Sequence, residues 1–144
     1  MSINKFNSEG YYDPTAYKAM AAVEKEEKAL RSFRPIVYIC SHYAGKVSEN
    51  VENARKYSRY AVDNGYIPVA PRLLFPQFLN DDDLKERQLG LLFGNALMSK
   101  CAEVWVCGDT VSSGMAAEIV IAKRKNYRIR YFDVELKEVL THES

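Results

Sequence analysis

One carboxylate stands out by its surroundings. In residues 107–122, CGDTVSSGMAAEIVIA, Glu118 follows a small polar loop, and the residues from Met115 to Ala122 are otherwise apolar. The stretch reads as a strand end, a loop, and a helix whose second turn carries an acid. Its ordinary structural uses fail on spacing. With Ser113 as the helix N-cap, a capping-box acid belongs at Ala116, and the residues three and four positions away, Gly114, Met115, Ile121 and Ala122, carry no charge. An unpaired carboxylate at a dry surface is costly, so a helix that keeps one is expected to use it. Beside helix-terminal N–H donors, a phenol, and serines that hold phosphate or sugar hydroxyls, such a carboxylate can attack the anomeric carbon of a nucleoside. The glycosyl ester so formed would pass to water or to another base, by the two-step logic of retaining glycosidases.

Positioning these groups requires a sheet. Residues 36–40, IVYIC, form a short apolar run rich in β-branched and aromatic side chains, which predicts a strand buried on both faces. It runs into Ser41-His42-Tyr43-Ala44-Gly45-Lys46, and Ser48 is the expected cap of a helix reaching about residue 64, stopped by Gly65. Residues 66–70 predict a second strand, and Pro68 inside it argues for a sheet edge because proline lacks a ladder donor. An apolar connector with two prolines, 71–79, follows.

The run Asn80-Asp81-Asp82-Asp83 has two readings, a metal site or an N-cap with acids in the first helical turn. The acids lack the alternating spacing of a calcium loop, so the cap is preferred. The helix it starts should reach about residue 100, with Leu84, Gln88, Leu91, Asn95 and Met98 on one stripe. Gly90 and Gly94, one turn apart in it, imply a close approach to the helix backbone.

Residues 103–107 and 128–132 predict the third and fourth strands, and 133–144 reads equally as a last strand or a short helix. Strand–helix units repeated three times predict an α/β fold, a flavodoxin- or Rossmann-like three-layer sandwich with a four- to five-stranded parallel sheet in the order 2-1-3-4. Residues 1–34 are expected to form an N-terminal arm and accessory helix, and 35–144 the α/β domain.

In such sheets ligands bind at the carboxyl ends of the strands, where the strand order reverses. Those ends carry Ser41, His42 and Tyr43, then Pro71 and Arg72, then residues 108–113, with Tyr43 and Ser113 facing each other across the switch point.

Composition limits the alternatives. The 144 residues carry 20 Lys and Arg against 19 Asp and Glu, a net charge of +1, which does not indicate a nucleic-acid polymer as partner. No apolar run suits a membrane helix or a signal peptide, so a cytoplasmic protein is expected. Three cysteines without CxxC spacing and two histidines support neither a disulfide framework nor a zinc site, and no metal or cofactor is expected.

The segment SSGMAAEI resembles the nucleophile motif of the nucleoside 2-deoxyribosyltransferases and the related deoxynucleotide N-hydrolases, a small residue and Gly followed four positions later by Glu. A first strand ending in a Gly- or Tyr-containing loop and a strand of the CAEVWV type are also similar. From YYDPTAY through VYICSHYAG, GYIPVAPRLLFPQFL, ERQLGLLFG and SSGMAAEI to RIRYF, the chain looks like an uncharacterised branch common in bacterial and prophage genomes.

The resemblance implies a nucleoside or nucleotide as the small-molecule partner and a homo-oligomer, most simply a dimer. It implies Glu118 as nucleophile, Tyr43 orienting it, and Asn95 beside the departing base. Ser41, His42, Gly45, Arg72, Gly108, Asp109, Ser112, Ser113 and Gly114 are expected to contact the substrate. Two positions depart from the pattern. Asn95 stands where the enzymes generally have an aspartate, and Arg72 where the closer branch tends to have a histidine. An amide cannot donate an ionisable proton and a guanidinium suits phosphate, so a pocket that binds an anionic nucleotide without turning it over is the alternative.

Overall fold

The computed structural model describes residues 14–32 and 34–140 and divides into two compact units, Met1–Arg34 and Pro35–Ser144. In the first, α1 spans Pro14–Ser32. Its Met20 and Val23 are half or more exposed, and Asp13, which with Pro14 reads in the sequence as a helix start, lies outside the described residues.

The second unit is a three-layer α/β fold. Its elements run β1 (Ile36–Cys40), α2 (Val47–Asp63), β2 (Ile67–Val69), α3 (Pro71–Leu74), α4 (Leu84–Met98), β3 (Glu103–Cys107), α5 (Ser113–Arg124), β4 (Arg128–Phe132) and β5 (Glu138–Val139). The sheet order is β2-β1-β3-β4-β5. The first four strands are parallel, with Val37 opposite Pro68 on one side and Glu103 on the other, and β2 at the edge as its proline requires.

Strand alternation sorts the core into two layers. Tyr38, Cys40, Val104 and Val106 point to one face and pack with Met98 of α4 and Met115 and Ala122 of α5. Val37, Ile39, Trp105 and Cys107 point to the other and pack with Tyr57 and Ala61 of α2. Ser41, next in the second series after Val37 and Ile39, continues the α2 face.

Several expectations shift. α2 starts at Val47, and its cap position is Lys46, which makes no side-chain cap, two residues before the expected cap Ser48. α4 is capped by Asp83, whose carboxylate accepts from Lys85 N and Glu86 N, whereas Asn80 closes a turn ahead of it by accepting from Asp82 N. α5 is capped by Ser112, which accepts from Met115 N, so the cap stands one residue before Ser113. The 71–79 connector is partly helical, with Pro71 opening α3 and a 3-10 turn at Phe75–Gln77.

The C-terminal segment is a strand, and it is antiparallel. A tight turn in which Asp133 N donates to Lys137 O (2.9 Å), with Leu136 at φ 68°, reverses the chain beside β4, too short a connection for a parallel crossover. Arg130 grips Glu138 through Nε and Nη2 at 2.9 and 2.8 Å, fixing that pairing. Glu103, buried at the start of β3, accepts from Trp105 Nε1 at 2.6 Å and from Arg130 at 3.4 Å.

Candidate functional site

Glu118 lies on the inner face of α5 and is 3% exposed. Both its oxygens are held. Tyr38, in the middle of β1, donates its phenol O–H to Oε2, and Arg72 of α3 donates from Nη2 to Oε1 at 2.6 Å. The guanidinium also reaches Ser41 O through Nε at 3.4 Å. Three elements far apart in sequence thus converge on one carboxylate.

Two glycines make the convergence possible. A Cβ at Gly94 of α4 would stand 2.8 Å from Tyr38 Oη, so the close approach implied by the helix glycines is that of the Tyr38 phenol. A Cβ at Gly114 would stand 3.2 Å from Arg72 Nη2. Gly90 meets only ordinary contact with Leu79.

The electrostatics follow from burial. Desolvation pushes the Glu118 carboxyl above the ordinary carboxylate range, while the Arg72 charge and the Tyr38 hydrogen bond pull it back. Burial, then the Glu118 charge, raises the Tyr38 phenol far above its ordinary value, so it acts as a neutral donor. The Cys40 thiol is raised for the same reasons and is not a nucleophile.

A cavity of about 250 Å³ opens beside this cluster at the carboxyl ends of the strands. His42, Tyr43, Arg72, Ser112, Ser113 and Gly114, all among the sequence-predicted site residues, line it, together with Arg87 and Leu91 of α4. Glu118 itself does not line it. Arg72 does, so the guanidinium stands between the cavity and the carboxylate. Two arginines and the amino end of α5, opposed by Asp81, suit an anionic group there.

The remaining predicted residues are elsewhere. Ser41, Gly108 and Asp109 line a second cavity on the α2 face, and His42 borders both, with Nε2 donating to Thr110 O at 2.8 Å. Gly45, at φ 92°, serves the exposed turn before α2 and lines neither cavity. Asn95 lines neither as well; its Oδ1 is buried in α4 without a hydrogen-bond partner. Tyr43 is a wall of the first cavity, and the phenol that holds Glu118 is that of Tyr38.

Residues 35–132 match the model of a family described as a domain of unknown function, DUF7768. The chain belongs to this family. Among curated proteins compared by sequence, none matches the chain. Among solved structures, this DUF7768 chain is similar to a 2-deoxyribosyltransferase of the psychrotolerant bacterium Bacillus psychrosaccharolyticus, a biocatalyst for nucleoside synthesis. The TM-score is 0.58 at 15% identity, over 74% of this chain and 77% of that one. That likeness places the DUF7768 fold with the deoxyribosyltransferase fold.

Tyr38 is the residue that sequence reasoning overlooked, because it sits inside an apolar run and reads as core. Gly94 carried the signal: a helix glycine opposite a strand makes room for something, and a tyrosine on that strand is the obvious occupant.

Proposed function

We propose that this protein acts on the N-glycosidic bond of a nucleoside or nucleotide, with Glu118 as the nucleophile. The observation that carries the reading is the buried Glu118 carboxylate, held at both oxygens beside a cavity at the carboxyl ends of the strands. In the reaction an oxygen of Glu118 bonds to the anomeric carbon as the bond to the base nitrogen breaks. The base leaves with that electron pair and takes up a proton. Water, or a second base, then attacks the ester and frees the carboxylate.

Arg72 sets the condition for this chemistry. While its Nη2 holds Oε1, the carboxylate is shielded and its negative charge is offset. An anionic substrate group at the amino end of α5 would compete for the guanidinium, draw it into the cavity and bare the nucleophile. Tyr38 would keep the freed carboxylate oriented. Tyr43, Ser112 and Ser113 would contact the sugar and phosphate.

A second reading, a pocket that binds a nucleotide or nucleotide-derived signal without turnover, is favoured by the same ion pair if Arg72 never leaves Glu118. The protein would act as a homo-oligomer in either case.

Incubation with deoxynucleosides and their 5′-monophosphates, followed by chromatography for free base, tests the first reading. Release from the monophosphates is expected, and Glu118→Gln should abolish it while nucleotide affinity persists. Binding without release in the wild type would leave the second reading, and release that survives Glu118→Gln would remove Glu118 from the mechanism.

A further inference from the structure

The second cavity, on the opposite face of the loops that end β1 and β3, has its own chemistry. It measures about 150 Å³ and lies between those loops and α2. We propose that it is a second binding site, for a monosaccharide-sized polyhydroxylated molecule that carries no anionic group.

Four observations point to that occupant. Ser41 is 2% exposed and lines the cavity, yet its Oγ, closed off from solvent just behind the wall, has no hydrogen-bond partner; a turn of the side chain about χ1 would bring it to the cavity. A ligand hydroxyl, which both donates and accepts, then supplies the partner. The charges select against anions: Glu49 and Asp109 line the cavity and, among the described residues, no Lys or Arg does. Lys56, outside the lining, donates to the carbonyl of Val134, which lines the cavity. The Asn53 amide and the Tyr57 phenol add donors and acceptors of the kind that bind vicinal diols. Burial, then the nearby Cys107 thiol and the Asp109 and Asp133 carboxylates, raise Tyr57 to about 12, which keeps it a donor. The volume matches a single ring, since a cavity of about 150 Å³ admits a molecule the size of benzene.

Gly108 shapes the floor. At φ 120° its backbone is in a region that L side chains rarely adopt, and a Cβ there would meet His42 and Tyr57 Oη at 3.8 Å. The two cavities therefore differ in sign, the one beside Arg72 suited to anions and this one to neutral or cationic hydroxyl-bearing ligands, with His42 between them. Nothing in the second site requires Glu118 to be a nucleophile.

Titration of the full chain with D-ribose, followed by amide NMR, tests the site. Ribose should move the signals of Ser41, Asn53 and Asp109. Ser41→Ala should weaken ribose about fivefold, the value of one neutral hydrogen bond, while the free variant unfolds in urea at the same or a higher concentration because an unsatisfied hydroxyl is gone. Asp109→Asn should weaken ribose too, and Glu118→Gln should leave its affinity unchanged, which separates this site from the glycosidic reading. The proposal is overturned if ribose moves no signal, if the shifts gather at Ser113 and Ala117, if Ser41→Ala binds ribose as the wild type does, or if it unfolds earlier. Ribose 5-phosphate binding more tightly than ribose at Ser41 would overturn the exclusion of anions.

Discussion

Glu118 is held by two residues whose contributions differ in kind, and pH separates them. Because burial raises the carboxyl in the folded protein, the native state binds a proton more tightly than the unfolded chain does. Its contribution to stability is therefore fully present below the unfolded value of about 4.3 and is lost as pH rises through the folded value. Other acids slope the opposite way, as Glu138 does, lowered mainly by its hydrogen bonds to Arg130. The readout is thus a difference: urea unfolding across the acid-to-neutral range should show a fall with pH in the wild type relative to Glu118→Gln. Equal slopes in the two proteins would mean that Glu118 does not titrate differently on folding. Replacing the cation sharpens the test. Arg72→Met keeps the apolar stem but removes the charge, and breaking a buried pair costs about 3 to 5 kcal/mol. That loss should be larger at neutral pH than near pH 4, where protonation relieves the stranded carboxylate; a loss independent of pH would refute the pairing.

At the scale of elements, α4 couples a helix glycine to the site. Gly94→Ala gains about 1 kcal/mol in helix propensity but drives a methyl onto Tyr38 Oη, and overpacking of that kind costs about 1 to 3 kcal/mol. A net destabilisation is expected. In a Tyr38→Phe background the nearest atom becomes the ring carbon at 3.9 Å, an ordinary contact, so the same substitution should become neutral or stabilising. Equal effects in both backgrounds would mean that Gly94 does not serve Tyr38.

The same helix shows what could be read in the chain beforehand. The strands β1 and β3 were legible from the apolar runs 36–40 and 104–107, which burial on both faces keeps free of polar residues, and Pro68 placed β2 at an edge. Half of the α4 stripe was legible: Leu91 and Met98 turn inward, but Leu84 is 68% exposed and Gln88 is exposed as well. Periodicity marks a face without saying where the sheet beneath it ends. The Arg72–Glu118 pair was not legible, since it joins residues 46 positions apart through a short helix that read as a connector. Nor could loop residues be divided between two cavities until strand alternation at Ser41 showed which face each follows.

At the scale of the whole α/β unit, α3, α4 and the segment that joins them carry exposed apolar side chains. Leu74, Phe78, Leu84, Leu89 and Leu92 are between 41% and 68% exposed, and Phe78 packs edge-on against Phe75, which also meets Phe93. Exposed apolar side chains of this number are what an association face would present. Arg87 and Leu91, on the same helix, line the cavity beside Arg72, so a second copy docked there would lie against the proposed substrate pocket. Self-association through one shared patch favours a two-fold dimer. Sedimentation at micromolar concentration should give twice the mass of one chain. Leu92→Glu, which places a charge in the middle of the patch while leaving the core untouched, should give the single-chain mass with an unchanged far-ultraviolet circular dichroism spectrum. If the pocket depends on the partner, nucleotide affinity should fall in that variant and, in the wild type, on dilution below the dimer's dissociation constant. A single-chain mass for the wild type would remove the dimer, and a dimeric Leu92→Glu would move its interface off α4.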